Sequence, residues 1–288
     1  MKQAIENSQS NHSATMKLIL TGLMLAMTTV ATMAIAIPIP FTNGYIHLGD
    51  SMVFLSVLIL GWKYGAFAAG VGSALADLFL GYASWAPWTL CIKGVMALLM
   101  GLVIEASLKN RKFVVLTSTL IVAAWGIFQL AIDRIIRAEA AGNAQALYSE
   151  TVTNPEQLNA FLASMQTQLM TAALIIPVFL VVLTVYFRKK EHFVIPIPQL
   201  IGITLAGLWM VFGYYVAGGI MYGNYAVSAF AIPTNMVQFL MGFVIAVLLS
   251  RAIEKTPAGS FFAYQAGGSR TGMGSSHQRE LSQKISSC

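Results

Sequence analysis

Apolar stretches long enough to cross a membrane dominate this chain and limit what it can fold into. Hydrophobic residues occupy 57% of the 288 positions, and charged residues occupy only 10%. A water-soluble domain carries about 25% charged residues, and a helix needs about 20 apolar residues to cross a bilayer. The composition therefore predicts an all-α integral membrane protein.

Eight candidate spans can be drawn, and the second and third are short, so we expect them to tilt or to pack against neighbours. In order they are Lys17–Ile37, Ile46–Gly61, Tyr64–Gly81, Ala86–Ala106, Phe113–Ile135, Leu169–Phe187, Ile197–Tyr222 and Ala226–Arg251. Basic residues follow the fourth, sixth and eighth spans, whereas the alternate short loops contain no Lys or Arg. The positive-inside rule then predicts a multi-pass protein of the cell membrane with both termini cytoplasmic.

Polar segments flank the membrane domain, which is predicted to cover residues 17–255. Residues 1–16 are polar, and residues 256–288 are rich in Gly and Ser. Such compositions cannot bury enough apolar surface to fold independently. Both segments are therefore predicted to be disordered.

Three charged residues, Asp50, Asp77 and Lys93, interrupt the apolar stretches. Each would cost several kcal/mol in hydrocarbon if it were unpaired. Asp77 and Lys93 lie about 6 and 10 Å from the same predicted membrane surface, on helices joined by a short loop, so they can meet. They are predicted to form either a structural ion pair or a ligand-binding pair. Asp50, near the start of the second span, is predicted to cap that helix, to join a structural ion pair or to line a pocket.

Other polar and aromatic side chains gather near the predicted outer surface. Asn235 and Gln238 share one face of the last helix, and Trp85 and Tyr214 lie near the outer ends of their spans. The inner two-thirds of the membrane domain is apolar and rich in small residues. A through-channel needs polar lining along its full length, so this distribution predicts a cavity open to the outside.

Small residues recur every four positions in several spans, which lets helices approach closely. In the first span, Gly22 and Ala26 are predicted to dock another protein. Stripes in the third and last spans are predicted to serve internal packing, and they comprise Ala66, Gly70 and Ala74; Ala68, Gly72 and Ala76; and Gly242 and Ala246.

Motifs for catalysis and for cofactor binding are missing from the sequence. There is no phosphate-binding G-x-x-x-x-G-K-[ST] loop, no H-E-x-x-H motif and no paired-carboxylate arrangement. The two cysteines make neither a disulfide framework nor a metal site. We therefore expect no enzyme activity, no cofactor and no metal, and the clustered basic residues are read as topology signals and not as a nucleic-acid surface.

Several short sequence motifs, in a fixed order along the chain, resemble those of the substrate-binding S component of energy-coupling factor (ECF) transporters, in the riboflavin-transporter-like branch. The resemblance covers residues 17–109 and 197–251, about half of the chain. The motifs include Gly44-Tyr-Ile-His-Leu-Gly-Asp50, Gly61-Trp-Lys-Tyr-Gly-Ala66, Gly72-Ser-Ala-Leu-Ala-Asp77 and Ile232-Pro-Thr-Asn235 with Gln238.

This resemblance implies a six-helix membrane protein that captures a vitamin from outside. It also implies docking of the first helix, at Gly22 and Ala26, onto a membrane T subunit attached to two ATPase subunits that drive import. Two additional helices, within residues 113–187, are predicted to be inserted between core helices 4 and 5. The residues to which the resemblance assigns ligand contact or loop closure are Asn43, Tyr45, Trp85, Lys93, Tyr214, Asn235 and Gln238.

The expected ligand is a flat, polar, vitamin-like compound, with pyridoxine, a hydroxymethylpyrimidine thiamine precursor and riboflavin as candidates by family analogy. Tyrosines and Trp85 would stack on an aromatic ring, and Lys93 would suit an anionic or hydroxyl-bearing ligand. One alternative is a stand-alone secondary transporter driven by an ion gradient. Another is a membrane scaffold in which Asp77 and Lys93 are purely structural.

Overall fold

The computed structural model describes residues 2–38, 45–142, 144–147, 154–188 and 196–264, and nearly all of them are helical. Six helical stretches among these residues are long and apolar enough to cross a membrane. The predicted all-α membrane fold is therefore confirmed. The elements are α1 (Lys2–Ala34), β1 (Ala36–Pro38), β2 (Tyr45–His47), α2 (Gly49–Phe79), α3 (Ala86–Lys109), α4 (Arg111–Gly142), a 3-10 helix (Ala144–Leu147), α5 (Pro155–Arg188), α6 (Ile197–Tyr222), α7 (Tyr225–Ala229), α8 (Ile232–Glu254) and a second 3-10 helix (Pro257–Phe261).

Helix α2 reverses direction at Gly61, whose backbone has φ 75° and ψ 177°. The Ser56 hydroxyl donates to the Gly65 carbonyl at 3.3 Å, although nine residues of straight helix would separate the two residues by about 13 Å. A Cβ on Gly65 would also lie 2.9 Å from the Cα of Val57. Residues 49–60 and 62–79 therefore run back against each other, as the two short predicted spans require.

The two small-residue stripes of α2 pack against different helices. A Cβ on Gly72 would lie 2.7 Å from the Leu25 carbonyl oxygen of α1, and a Cβ on Gly70 would lie 2.9 Å from the Leu90 carbonyl oxygen of α3. Both approaches are too close for any side chain larger than hydrogen. The internal packing role predicted for these stripes agrees with the structure.

Gly22 and Ala26 lie on the exposed side of α1. No atom comes within 4 Å of the position that a Cβ on Gly22 would occupy. Nearby Leu23 and Val30 are 52% and 65% exposed. Docking of another protein at this face stays a prediction.

Residues 257–264 cover the end of the bundle at which Gly61 lies, called the kink end below. The backbone N–H groups of Ala263 and Tyr264 donate to the carbonyls of Ile59 and Leu58, at 3.0 and 3.1 Å. The Tyr264 hydroxyl donates to Glu105 Oε1 at 3.0 Å. The predicted disorder of residues 1–16 and 256–288 stays a prediction, although residues 257–264 pack against the bundle and α1 begins at Lys2.

The opposite end of the bundle, called the strand end, carries β1, β2 and α7. Strands β1 and β2 pair antiparallel, with Ile37 opposite Ile46. Helices α4 and α5 reach this end, where Phe161 of α5 packs edge-on against Phe230, with ring centroids 4.8 Å apart. That α4 and α5 are an insertion relative to a six-helix core stays a prediction.

We predict that Gly61→Ala destabilises the protein, because the φ and ψ of Gly61 fall in a region that is essentially restricted to glycine. The nearest atom to an added Cβ is the Ala263 Cβ at 3.7 Å, so backbone strain and not a steric clash would dominate. We expect the free energy of unfolding to fall by about 1–3 kcal/mol, measured as a lower thermal midpoint in mild detergent.

Gly126→Ala is the matched control, because Gly126 lies inside α4 with nothing within 4 Å of an added Cβ. Alanine favours helix over glycine, so this midpoint should stay level or rise. Equal midpoints for the Gly61→Ala variant and the unaltered protein would contradict the strain argument.

Candidate functional site

A buried ion pair joins Lys93, two turns into α3, to Asp50 in the first turn of α2. Both side chains are fully buried. The second carboxylate oxygen of Asp50 accepts from Gln238 Nε2 of α8 at 3.0 Å. Gln238 Oε1 accepts in turn from the backbone N–H of His47 in β2, also at 3.0 Å. One continuous chain of polar contacts therefore connects α3, α2, α8 and β2.

This pairing differs from the prediction that Lys93 meets Asp77. The reversal at Gly61 brings the first turn of α2 back to the depth of Lys93, where Asp50 takes the ion-pair position. Gly242 allows the approach of α8, because a Cβ there would lie 2.8 Å from the Cβ of Asp50. Nor does the Asp50 side chain cap α2, whose N-cap is Leu48 and has no side-chain capping bond.

A cavity lies at the strand end beside this ion pair, with walls from β2, α2, α3, α6 and the α7–α8 segment. Measured as the space open to the centre of a water molecule, its volume is about 50 Å³. Its aromatic lining residues are Tyr45, Trp85, Tyr214 and Tyr222, and its polar or charged ones are His47, Asp77, Thr89, Ser228, Asn235 and Gln238. This composition suits a small compound with an aromatic ring and several hydrogen-bonding groups.

Asp77 is held in the cavity wall by Tyr45. The Tyr45 hydroxyl donates to Asp77 Oδ1 at 2.6 Å, and burial together with this bond raises the pKa of Tyr45 above its ordinary value. Asp77 is only 3% exposed. Its other oxygen, Oδ2, makes no hydrogen bond of ordinary distance and angle to any described residue. The Thr89 hydroxyl interacts with the Asp77 carboxyl group, but Oδ2 makes no hydrogen bond of ordinary geometry and can accept one from a ligand.

Two aromatic pairs contribute to the cavity wall. The Tyr45 ring lies 4.7 Å from that of Tyr82, and the Trp85 ring lies 5.9 Å from that of Tyr214, between centroids. Lys93 Nζ lies 5.3 Å from the Tyr214 ring centroid, within cation–π range. The Trp85 indole N–H is buried and has no hydrogen-bond acceptor among the described residues.

His47 is a neutral member of the lining. Its Nδ1 accepts the Gly49 backbone N–H at 3.0 Å, which assigns the proton of the neutral ring to Nε2. Burial, together with the positive charge of Lys93, lowers the pKa of His47 to about 3, although Asp50 acts in the opposite direction. His47 is therefore uncharged at neutral pH.

Most of the predicted ligand contacts come together at this cavity. Tyr45, Trp85, Tyr214, Asn235 and Gln238 all line it, as does Asp77. Both polar atoms of the Gln238 side-chain amide make hydrogen bonds, whereas the side-chain amide of Asn235 makes none within the described part of the chain. Asp50 and Lys93 lie behind the lining, and Asn43 lies outside the described residues.

Six lining residues were not among the predicted contacts, namely His47, Thr89, Gly218, Tyr222, Ser228 and Ala231. Two of them, His47 and Thr89, follow the periodicity of predicted contacts. His47 is two residues after Tyr45 in β2, and alternate residues of a strand face the same side. Thr89 is four residues after Trp85 and four before Lys93, on one face of α3. Both could have been found from periodicity once β2 and α3 were recognised.

The fold is that of a multi-pass membrane protein with a cavity between its helices. Residues 12–186 and 155–255 match the family model described as ECF-type riboflavin transporter, S component. The chain belongs to this family, which confirms the resemblance drawn from its sequence motifs. The family is a membrane transporter component active in vitamin uptake and not an enzyme, as predicted.

Two curated relatives match shorter segments. A Pyrococcus woesei protein described as "Uncharacterized protein in gap 3'region" is 51% identical over 73 residues, 25% of this chain and 49% of that protein. The thiamine precursor transporter HmpT of Lactococcus lactis subsp. cremoris (strain MG1363) is 46% identical over 52 residues, 18% of this chain and 31% of HmpT. The chain thus matches about half of the first relative and about a third of the second. No solved structure matches it.

We predict that Lys93→Met destabilises the protein strongly, because it leaves the Asp50 carboxylate buried without its cation. Removing one partner of a buried ion pair costs about 3–5 kcal/mol of unfolding free energy, which should appear as a lower thermal midpoint and a lower yield. The double variant Asp50→Asn/Lys93→Met removes both charges and should recover part of the loss. A double variant at least as unstable as Lys93→Met would contradict this account.

We also predict that acid destabilises the protein partly through His47. In the unfolded chain the ring takes up a proton near its ordinary pKa of 6.5, but in the folded protein the pKa is about 3. The contribution of His47 is therefore complete above pH 6.5 and is lost as the pH falls towards 3, by about 1.4 kcal/mol per pH unit.

Thermal midpoints at pH 7.5 and pH 5.5 would measure this effect. The midpoint should fall further for the unaltered protein than for His47→Asn, in which the amide oxygen can still accept the Gly49 N–H and cannot titrate. Equal pH dependence in the two proteins would exclude His47 as the source.

Proposed function

We propose that this chain is the substrate-capture subunit of an ECF transporter, binding a vitamin or vitamin precursor that its partners then import. The observation that carries the proposal is a cavity with unsatisfied polar groups on two of its walls, namely Asp77 Oδ2 and the Trp85 indole N–H. Buried polar groups without partners are costly. A ligand that supplies the missing hydrogen bonds would remove that cost.

The distribution of basic residues supports an outward-facing cavity. Lys63, Lys109 and Arg251 all lie towards the kink end of the bundle, whereas the turns at the strand end, residues 80–85 and 223–224, contain no Lys or Arg. The positive-inside rule then puts the kink end in the cytoplasm. The ligand would enter from outside, past β1 and β2.

The size of the cavity favours a single-ring ligand. On the measure used for its volume, one water needs roughly 10–15 Å³, so about 50 Å³ holds only a few waters. This supports pyridoxine or a hydroxymethylpyrimidine over riboflavin, whose three fused rings would require the cavity to open. The thiamine precursor transporter HmpT, 46% identical over 52 residues, favours the hydroxymethylpyrimidine.

Import would depend on partner subunits. The sequence contains no phosphate-binding loop of the P-loop kind, so ATP hydrolysis is assigned to two ATPase subunits joined to a membrane T subunit. The exposed face of α1 around Gly22 and Ala26 supports docking there, because its small residues would let a partner helix approach closely.

Titration of the purified full chain in mild detergent against a vitamin panel tests the capture function. We expect a single-ring compound to bind with nanomolar Kd and riboflavin to bind at least about 10-fold more weakly, since a misfit of 1.4 kcal/mol is already tenfold. Mass spectrometry of co-purifying compounds would identify the ligand independently.

Asn235→Ala should weaken binding about 10- to 100-fold, because a ligand group would lose its hydrogen-bond partner. Asn159→Ala, at an exposed position of α5, is the matched control and should bind normally. A folded protein that binds no member of the panel would overturn the capture function and favour the scaffold alternative.

A further inference from the structure

The described cavity lining contains one acidic side chain and no lysine or arginine. Asp77 is the only Asp, Glu, Lys or Arg among its described lining residues. The positive charge of Lys93 is taken up by Asp50, and both side chains are fully buried outside the lining. His47 is uncharged, with its Nδ1 occupied by the Gly49 N–H. The ligand therefore meets one carboxyl group and no lysine or arginine in the described lining.

Tyr45 engages only one oxygen of Asp77, because its hydroxyl donates to Oδ1 at 2.6 Å. An ionised carboxylate buried without a cation is strongly unfavourable, so a positively charged ligand group would be its natural partner.

The unsatisfied atoms define the rest of the ligand. Asp77 Oδ2 needs a donor, and the Trp85 indole N–H needs an acceptor. The lining rings of Tyr45, Trp85 and Tyr214 suit contact with a flat aromatic ring. An amino group next to a protonated ring nitrogen offers two parallel N–H donors, the same fork that arginine presents to a carboxylate.

We propose that Asp77 determines the specificity of this cavity by binding the amino edge of a heteroaromatic ring, which is bound as its cation. This inference rests on the proposed capture function and names the ligand chemistry that the function would require. It also differs from the expectation from the sequence that Lys93 would suit an anionic or hydroxyl-bearing ligand, because the ammonium group of Lys93 is already paired with Asp50 and lies outside the lining.

A matched pair of ligands tests the proposal on the purified full chain. One is the 4-amino-5-hydroxymethylpyrimidine ring, and the other is its 4-hydroxy counterpart, which presents an oxo group in place of the amino donor. By isothermal titration the unaltered protein should bind the amino compound about 10- to 100-fold more tightly. Asp77→Asn should abolish or reverse this preference, because its amide can donate to the oxo group.

Two further variants separate ligand recognition from a structural role of Asp77. Tyr45→Phe removes the hydroxyl that holds Asp77 but keeps the carboxylate, so the preference for the amino compound should persist. If Asp77 served only to fix β2, Tyr45→Phe would lose the preference as well. Asp133→Asn makes the same chemical change at an acid of α4 whose side chain is 37% exposed, and it should leave the preference unchanged.

Each outcome decides a different question. Equal affinity for the two compounds, a preference for the oxo compound in the unaltered protein, or an unchanged preference in Asp77→Asn would overturn the assignment of Asp77. The unaltered protein alone supplies the first two results if Asp77→Asn does not fold. Failure to bind either compound or any other panel member would instead overturn the capture function itself.

Discussion

The ion pair between Lys93 and Asp50 is the interaction on which the rest of the structure depends. Neither charge would be tolerated alone at this depth, so α3 and the first turn of α2 must meet where they do. Gln238 extends the pair by donating to Asp50 and accepting from the backbone of β2. The position of β2, and with it the wall that carries Tyr45, follows from satisfying two buried charges.

The pairing also separates the roles of two similar carboxylates. Asp50 is paired with Lys93 and has a structural role. Asp77 accepts a hydrogen bond from the Tyr45 hydroxyl and lines the cavity, and its Oδ2 makes no hydrogen bond of ordinary geometry. The difference lies in what stands opposite each side chain, since the residue type is the same. A site with a spare carboxylate and no spare cation points to a ligand that donates hydrogen bonds and carries positive charge.

Backbone geometry makes this arrangement possible within a membrane, where every buried N–H and carbonyl needs a partner. The reversal at Gly61 interrupts the helical hydrogen bonds of α2, and the chain after α8 returns to pair with the carbonyls of Leu58 and Ile59. Close contacts at glycines on both sides of residues 62–79 hold α1 and α3 against this segment. The kink end is therefore tightly closed, and the cavity lies at the strand end.

The sequence by itself determined the membrane class, the two short spans on either side of Gly61, the family, and a set of residues that the structure gathers around one cavity, including Tyr45, Trp85 and Asn235. Apolar length, glycine positions and short motifs are local properties, so one chain suffices to read them. Only the tertiary structure decided that Lys93 pairs with Asp50 and that Tyr264 is buried at the kink end. Depth along a helix shows which side chains share a level, but the direction each one faces depends on how the helices rotate and pack against one another.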